Sequence, residues 1–94
     1  MQYITKDTIT QVNKRGDMPT LAFQYNHNGT NMSLYGSVDG GTYILIETFS
    51  ASTIKQIGYV PYLALSALTN ATRTDAEITA NTSANNGQGM IDHA

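Results

Sequence analysis

The 94-residue chain has no cysteine and no tryptophan, and it has few of the residues that enzymes commonly use. Without cysteine, neither a disulfide nor a thiolate zinc site can form, so stability has to come from packing or from neighbouring subunits. Histidine occurs twice, at His27 and His93, and glutamate occurs twice, at Glu47 and Glu77. These scarce residues limit the chemistry that the chain can perform.

Charge is also sparse. Asp, Glu, Lys and Arg make up 13% of the residues and the formal net charge is −2, so the composition gives no electrostatic reason to expect nucleic acid. No apolar run approaches the roughly 20 residues of a membrane span, and residues 1–20 contain no apolar signal-peptide core. We therefore predict a soluble chain without a signal peptide, whose partners include neither nucleic acid nor membrane.

Alternating apolar residues recur along the middle of the chain and predict short β-strands. The runs "PTLAFQYN" and "NMSLYGSV" each place apolar side chains on one face, and the Asn28-Gly29 pair between them predicts a hairpin. The later runs "TYILIETF", "STIKQIGYV", "YLALSAL" and "AEITANT" are also typical of strands, with a helix over Leu63–Ala71 as the weaker alternative. Six or seven such strands predict an all-β fold, a small antiparallel β-sandwich or barrel. The predicted core is Leu21, Phe23, Leu34, Ile44, Ile46, Leu63, Leu65 and Ile78.

The two ends of the chain contain few large apolar residues. We predict an extended N-terminal arm over residues 1–18, a β-sandwich domain over residues 19–82 and a polar C-terminal tail over residues 83–94. The alternative is that "TITQV" (8–12) is an ordinary strand that completes an edge of the sandwich, because Thr and Val favour strands. Because neither end can build a core of its own, its apolar side chains are predicted to contact a partner. These partner-binding candidates are Tyr3, Ile4, Ile9, Val12, Met90 and Ile91.

The Asp39-Gly40-Gly41 segment joins two apolar runs and predicts a tight turn. A glycine at this bend would adopt positive φ, and the Asp39 side chain would cap its own turn. The residues after Asp39 lack the alternating acids and later glutamate of an EF-hand. We therefore predict a structural turn and no metal site.

No set of residues fills the roles of a catalytic site. His27 lies in "YNHNGT", a predicted loop tip, and His93 lies near the C-terminal end of the sequence. Glu47 and Glu77 are flanked by strand residues and predicted to face solvent, not a cleft. The sequence therefore predicts no catalytic residues, no cofactor and no enzymatic activity.

Six tyrosines leave a glycan-binding or host-adhesion module open as an alternative function. Sugar sites combine exposed aromatic faces with a few polar partners. Tyr35, Tyr59 and Tyr62 are the candidates, the last two flanking Pro61. The competing interpretation places these rings at the edges of the core with only the hydroxyl in solvent.

Two segments, "GSVDGGTYILIETFSA" (36–51) and "YVPYLALSALTNATRTDAEITAN" (59–81), resemble a recurring pattern in small β-sandwich proteins of tailed-bacteriophage virions. A similar hairpin occurs in discoidin-like domains, which usually have a tryptophan there and a longer chain, so their ligand chemistry is not carried over. The resemblance implies a non-enzymatic virion protein, either a capsid decoration or cement protein or a head or tail accessory protein. It would bind a major capsid or other virion structural protein, with homo-oligomers possible, through surface burial and extended arms.

Overall fold

The computed structural model describes residues 2–13, 19–29, 31–69, 71–81 and 87–92. These residues form nine β-strands and one short helix. In chain order they are β1 (Gln2–Ile4), β2 (Ile9–Gln11), β3 (Thr20–Asn26), β4 (Met32–Ser37), β5 (Thr42–Phe49), β6 (Thr53–Gly58), β7 (Tyr62–Ser66), β8 (Thr72–Thr74), α1 (Asp75–Ala80) and β9 (Gln88–Asp92).

The strands form two antiparallel sheets, which confirms the predicted all-β sandwich. Sheet A has the order β1-β9-β3-β6, and sheet B has the order β2-β7-β4-β5-β8. Alternation explains the packing, because every second residue of β3, Leu21, Phe23 and Tyr25, is buried. The main core also contains Met32, Leu34, Phe49, Ile57, Leu63 and Leu65. Within the described part of the chain, no helix is long and apolar enough to cross a membrane.

Helix α1 adds a partial third layer outside sheet B. A smaller buried cluster contains Tyr35, Tyr43, Ala64 and Ile78, and Ile78 is the buried residue of the helix. Thr74 and Glu77 form a capping box, in which each side chain accepts a hydrogen bond from the other residue's backbone N–H. The prediction of a final strand in "AEITANT" is therefore wrong, because Thr-x-x-Glu is a helix-start signal that outweighs the β-branched residues.

The predicted hairpin across Asn28-Gly29 is also wrong. β3 lies in sheet A and pairs with β6 and β9, whereas β4 lies in sheet B and pairs with β5 and β7. Gly29 has positive φ (88°), but the connection carries the chain from one sheet to the other. Both strands turn their apolar faces to the same core from opposite sides, so their alternation is indistinguishable from that of a hairpin. The alternative helix over Leu63–Ala71 is wrong because Tyr62–Ser66 is strand β7.

The terminal segments belong to the sandwich, so the prediction of separate arms is wrong where the structure describes them. β9 lies between β1 and β3 inside sheet A, and β2 is an edge strand of sheet B. Ile4, Val12 and Ile91 are buried in the main core. Three-residue strands are too short to show alternation, and their burial depends on strands distant in sequence. His93 lies outside the described residues.

The prediction that Ile44 and Ile46 belong to the core is wrong, because these residues are 61% and 38% exposed. The other six predicted core residues are buried, five of them on strands, as the alternation indicated, and Ile78 on helix α1. On β5, Tyr43 and Phe49 are buried instead, and a register irregularity interrupts the pairing of β4 with β5 at Leu34 and Tyr35. Such an irregularity shifts which side chains face the core, so strict alternation along β5 fails.

Candidate interaction surface

The face of sheet A that points away from the core carries a row of side chains that is apolar except for Gln24. Tyr3 is opposite Met90, Met90 is opposite Gln24, and Gln24 is opposite Ile54. These residues alternate with the buried side chains of the same strands, so they point to solvent. Tyr3 is 56% exposed and Ile54 is 72% exposed. We call this surface the outer face of sheet A.

Amide side chains surround the row and charge is nearly absent from it. Gln88 and Asn26 form the neighbouring pair on one side, and Asp92, Ala22 and Gln56 form the row on the other side. A shallow cavity of about 180 Å³ lies between Ile54 and Met90. A face that carries little charge and combines an aromatic ring with aliphatic side chains resembles the core of a protein interface, where charged residues are depleted.

The opposite face of the molecule is different because α1 covers part of it. Tyr35 and Tyr43, which point out of sheet B, are buried at 0% exposure beneath the helix region. Arg73 and Glu77 form an ion pair at its surface, with Nη1 and Oε2 3.0 Å apart. Only sheet A therefore presents a broad uncovered face among the described residues.

The predicted partner-binding residues separate into two groups. Tyr3 and Met90 face each other across β1 and β9 on the outer face of sheet A. Ile4, Val12 and Ile91 fill the chain's own core, and Ile9 packs against the smaller cluster beneath α1. Ile4, Val12 and Ile91 are therefore not free to anchor the chain to a partner, and their prediction as contact residues is wrong, whereas Ile9 is only partly buried.

The tyrosines proposed for sugar stacking do not form an exposed platform. Tyr35 is buried, and its burial raises the pKa of the hydroxyl while the nearby Arg73 guanidinium opposes that rise. Tyr59 and Tyr62 are partly buried, the first against the main core and the second against the smaller cluster. A sugar needs an open ring face, so the carbohydrate alternative loses Tyr35 altogether.

The turn at Asp39 has the predicted geometry. Gly40 has positive φ (79°), and Oδ1 of Asp39 accepts hydrogen bonds from the N–H groups of Gly41 (2.9 Å) and Thr42 (3.1 Å). Ser37 Oγ donates a further hydrogen bond at 2.9 Å. These bonds hold the pKa of Asp39 at about 2, below its usual 3.8. The carboxylate is engaged by its own turn, and no cluster of metal-ligating side chains occurs in the described ranges.

The polar side chains elsewhere form structural links. His27 donates its backbone N–H to Ser52 Oγ (3.0 Å), and its ring nitrogens contact Asn31 and the N–H of Gly29. Asp7 Oδ1 accepts hydrogen bonds from Ser66 Oγ and Asn81 Nδ2, both at 2.9 Å. The second network joins the loop after β1, the end of β7 and the end of α1, so it fixes the helix against sheet B.

A second apolar region lies beside the Asp39 turn. Val38 and Ile44 are strongly exposed, and with Ile46 and Val60 they line an open groove of about 360 Å³. We call it the hairpin groove. Residues of β4, of β5 and of the link between β6 and β7 line this groove.

Sequence reasoning missed Gln24 and Ile54 as surface candidates. In "STIKQIGYV", Ile54 and Ile57 are three residues apart and therefore lie on opposite faces of a strand. Because Ile57 points inward, Ile54 has to point outward. This spacing could have predicted that one of the two isoleucines is exposed. Which of the two faces the core depends on β3, the neighbouring strand.

Comparison with known proteins does not indicate a partner, so the inference about a partner depends on the outer face of sheet A. The chain matches no protein-family model, no curated protein and no solved structure.

Proposed function

We propose that this chain is a non-enzymatic structural protein that attaches to another protein of a larger assembly through the outer face of sheet A. In the form that the hairpin resemblance implies, the assembly is a phage particle and the neighbour is a major capsid or other virion structural protein. The localisation would then be the virion. The contact would use a preformed, rigid sheet surface instead of the extended arms predicted from sequence.

The proposal depends on one observation: Tyr3, Met90 and Ile54 lie in one row on a sheet face that no other described element covers. Burying exposed apolar side chains is the main favourable term in protein association, and aromatic residues and methionine are enriched in interfaces. Because the face has almost no charge, its burial avoids the large cost of desolvating ions, and its amides can exchange hydrogen bonds with a partner.

A rigid face also lowers the cost of binding. Tyr3 and Met90 belong to strands that are hydrogen-bonded within sheet A, so their backbones are already ordered before a partner arrives. Flexible arms would lose conformational freedom on binding, and that loss subtracts from affinity. Repetition of the same contact over many copies in an assembly would strengthen attachment further.

The test is binding of the purified chain to virions produced by a genome that encodes it. Tyr3→Lys and Met90→Lys would place charge in the apolar row, and each is expected to weaken co-sedimentation by about tenfold or more. Thr79→Lys, on exposed α1, is the matched control because it adds the same charge on the other side of the molecule. Circular dichroism verifies that all three variants fold.

Three outcomes count against the proposal. Absence of the chain from purified virions would exclude the virion form. Undiminished binding by both folded variants would exclude the outer face of sheet A. Loss of binding with Ile44→Lys instead would assign attachment to the hairpin groove.

A further inference from the structure

Among the described strands, β6 is the longest edge strand of the sandwich, and no other described strand pairs with its outer side. It contains six residues, whereas the other edge strands, β1, β2 and β8, contain three each. Natural sheets protect their edges by keeping them short or by placing proline or charge there, because an open edge pairs readily with another strand. β6 has no proline, and its lysine, Lys55, forms an ion pair with Glu47 of the same chain.

The hydrogen-bonding phase of β6 can be read from the structure. In antiparallel pairs, hydrogen-bonded and non-hydrogen-bonded residue pairs alternate. The N–H of Tyr59 donates to the carbonyl of Pro19 at 3.0 Å, in the same register that pairs Ile57 with Leu21. The odd-numbered residues of β6 therefore bond to β3. The backbone N–H and C=O groups of Ile54, Gln56 and Gly58 point to the open edge.

These three outward residues are symmetric about Gln56, which makes the edge complementary to itself. If two copies of β6 pair antiparallel with Gln56 opposite Gln56, then Ile54 of each copy is opposite Gly58 of the other. Each of these three residue pairs can exchange two backbone hydrogen bonds. The alternative register centred on Lys55 would oppose two lysines and pair fewer outward groups, so it is disfavoured.

Side-chain shape favours the same register. Ile54 is 72% exposed, and a Cβ built on Gly58 would meet no atom within 4 Å, so the space above Gly58 is open. The Ile54 side chain of one copy can lie over Gly58 of the other, where a larger residue would obstruct it. Ile54, Gln56 and Gly58 are all exposed in the single chain and available for this contact.

We propose that two copies of this chain associate through β6, with Gln56 at the two-fold axis, to form one continuous eight-stranded sheet. The pairing closes on itself, because it uses the β6 edge of both copies. It also places the two outer faces of sheet A side by side. The inference rests on the β6 edge alone and does not depend on the proposed attachment function.

The test uses the symmetry of Gln56. Gln56→Lys and Gln56→Glu each bring like charges together at the axis, so each is expected to weaken self-association by about tenfold or more in sedimentation equilibrium. A mixture of the two variants brings opposite charges together and is expected to restore the dimer. The matched controls are Gln88→Lys and Gln88→Glu, which make the same changes at an exposed position of β9 and should leave association unchanged.

Amide hydrogen exchange of the unmodified chain gives an independent readout. Raising the concentration to about 1 mM, where small interfaces populate, should protect the N–H groups of Ile54, Gln56 and Gly58. Those of Lys55 and Ile57 bond to β3 at every concentration and should not respond. A chain that stays monomeric at that concentration, folded Gln56 variants that associate like the unmodified chain, or a mixture that does not recover would each overturn the proposal.

Discussion

The Asp39 carboxylate stabilises its turn through hydrogen bonds that depend on its charge. Two backbone N–H groups and the Ser37 hydroxyl donate to it, and its pKa falls to about 2 as a result. A group whose folded-state pKa is lowered stabilises the fold above its unfolded-state pKa and loses that contribution as pH falls. The turn is therefore stabilised at neutral pH and weakened by acid.

Replacing Asp39 with asparagine should remove this part of the acid sensitivity. Between pH 3.8 and about 2 the unmodified chain loses the Asp39 contribution, whereas Asp39→Asn has no carboxyl group to titrate there. The urea midpoint, measured from pH 7 to pH 2, checks this difference. Glu77→Gln should remove a separate part of the acid sensitivity, because the pKa of Glu77 is also lowered by hydrogen bonds from Thr74 and Arg73. Identical pH profiles for Asp39→Asn and the unmodified chain would contradict the prediction.

Strand β1 is short but contributes to the core through Ile4, which is fully buried. Ile44 of β5 is also an isoleucine within a strand, but it is 61% exposed. The two positions separate the effect of burial from the effect of residue type. Ile4→Ala should lower the free energy of unfolding by about 2–4 kcal/mol, because it leaves a cavity between the sheets.

Ile44→Ala is the matched control and should change stability by less than about 0.5 kcal/mol. Urea unfolding monitored by circular dichroism measures both variants. A loss for Ile4→Ala no larger than that for Ile44→Ala would mean that β1 is not part of the folded core in solution.

Helix α1 is only six residues long, so its stability depends on its capping box and on Ile78. Thr74→Ala removes the side-chain oxygen that accepts the N–H of Glu77 and should cost about 0.5–2 kcal/mol. Thr79→Ala is the control, because its hydroxyl bonds only to carbonyls within the helix. Thermal unfolding compares the two variants, and an equal effect of both would show that the cap does not hold the helix.

The whole molecule shows which features a sequence of this kind reveals. Alternation of apolar residues along a strand correctly predicted the burial of Leu21 and Phe23 on β3 and of Leu63 and Leu65 on β7. Pairing partners are not encoded in alternation, since β3 and β4 look like a hairpin but lie in different sheets. The Asp39 turn was predictable because its chemistry is local. The outer face of sheet A was not, because Tyr3, Met90 and Ile54 come together only through the sheet.

The position of β9 inside sheet A has a consequence for the rate of folding. Gln2 pairs with Ile91, and Phe23 pairs with Ile91 on the other side, so sheet A closes only when segments far apart in sequence meet. The β4–β5 hairpin needs only local contacts and is expected to form early. Non-local pairing slows folding, which places this chain among domains that fold in about milliseconds to seconds. Until β9 inserts, β1 has no neighbour among the described strands of its sheet, so β1 and β9 are expected to become ordered in the same late step.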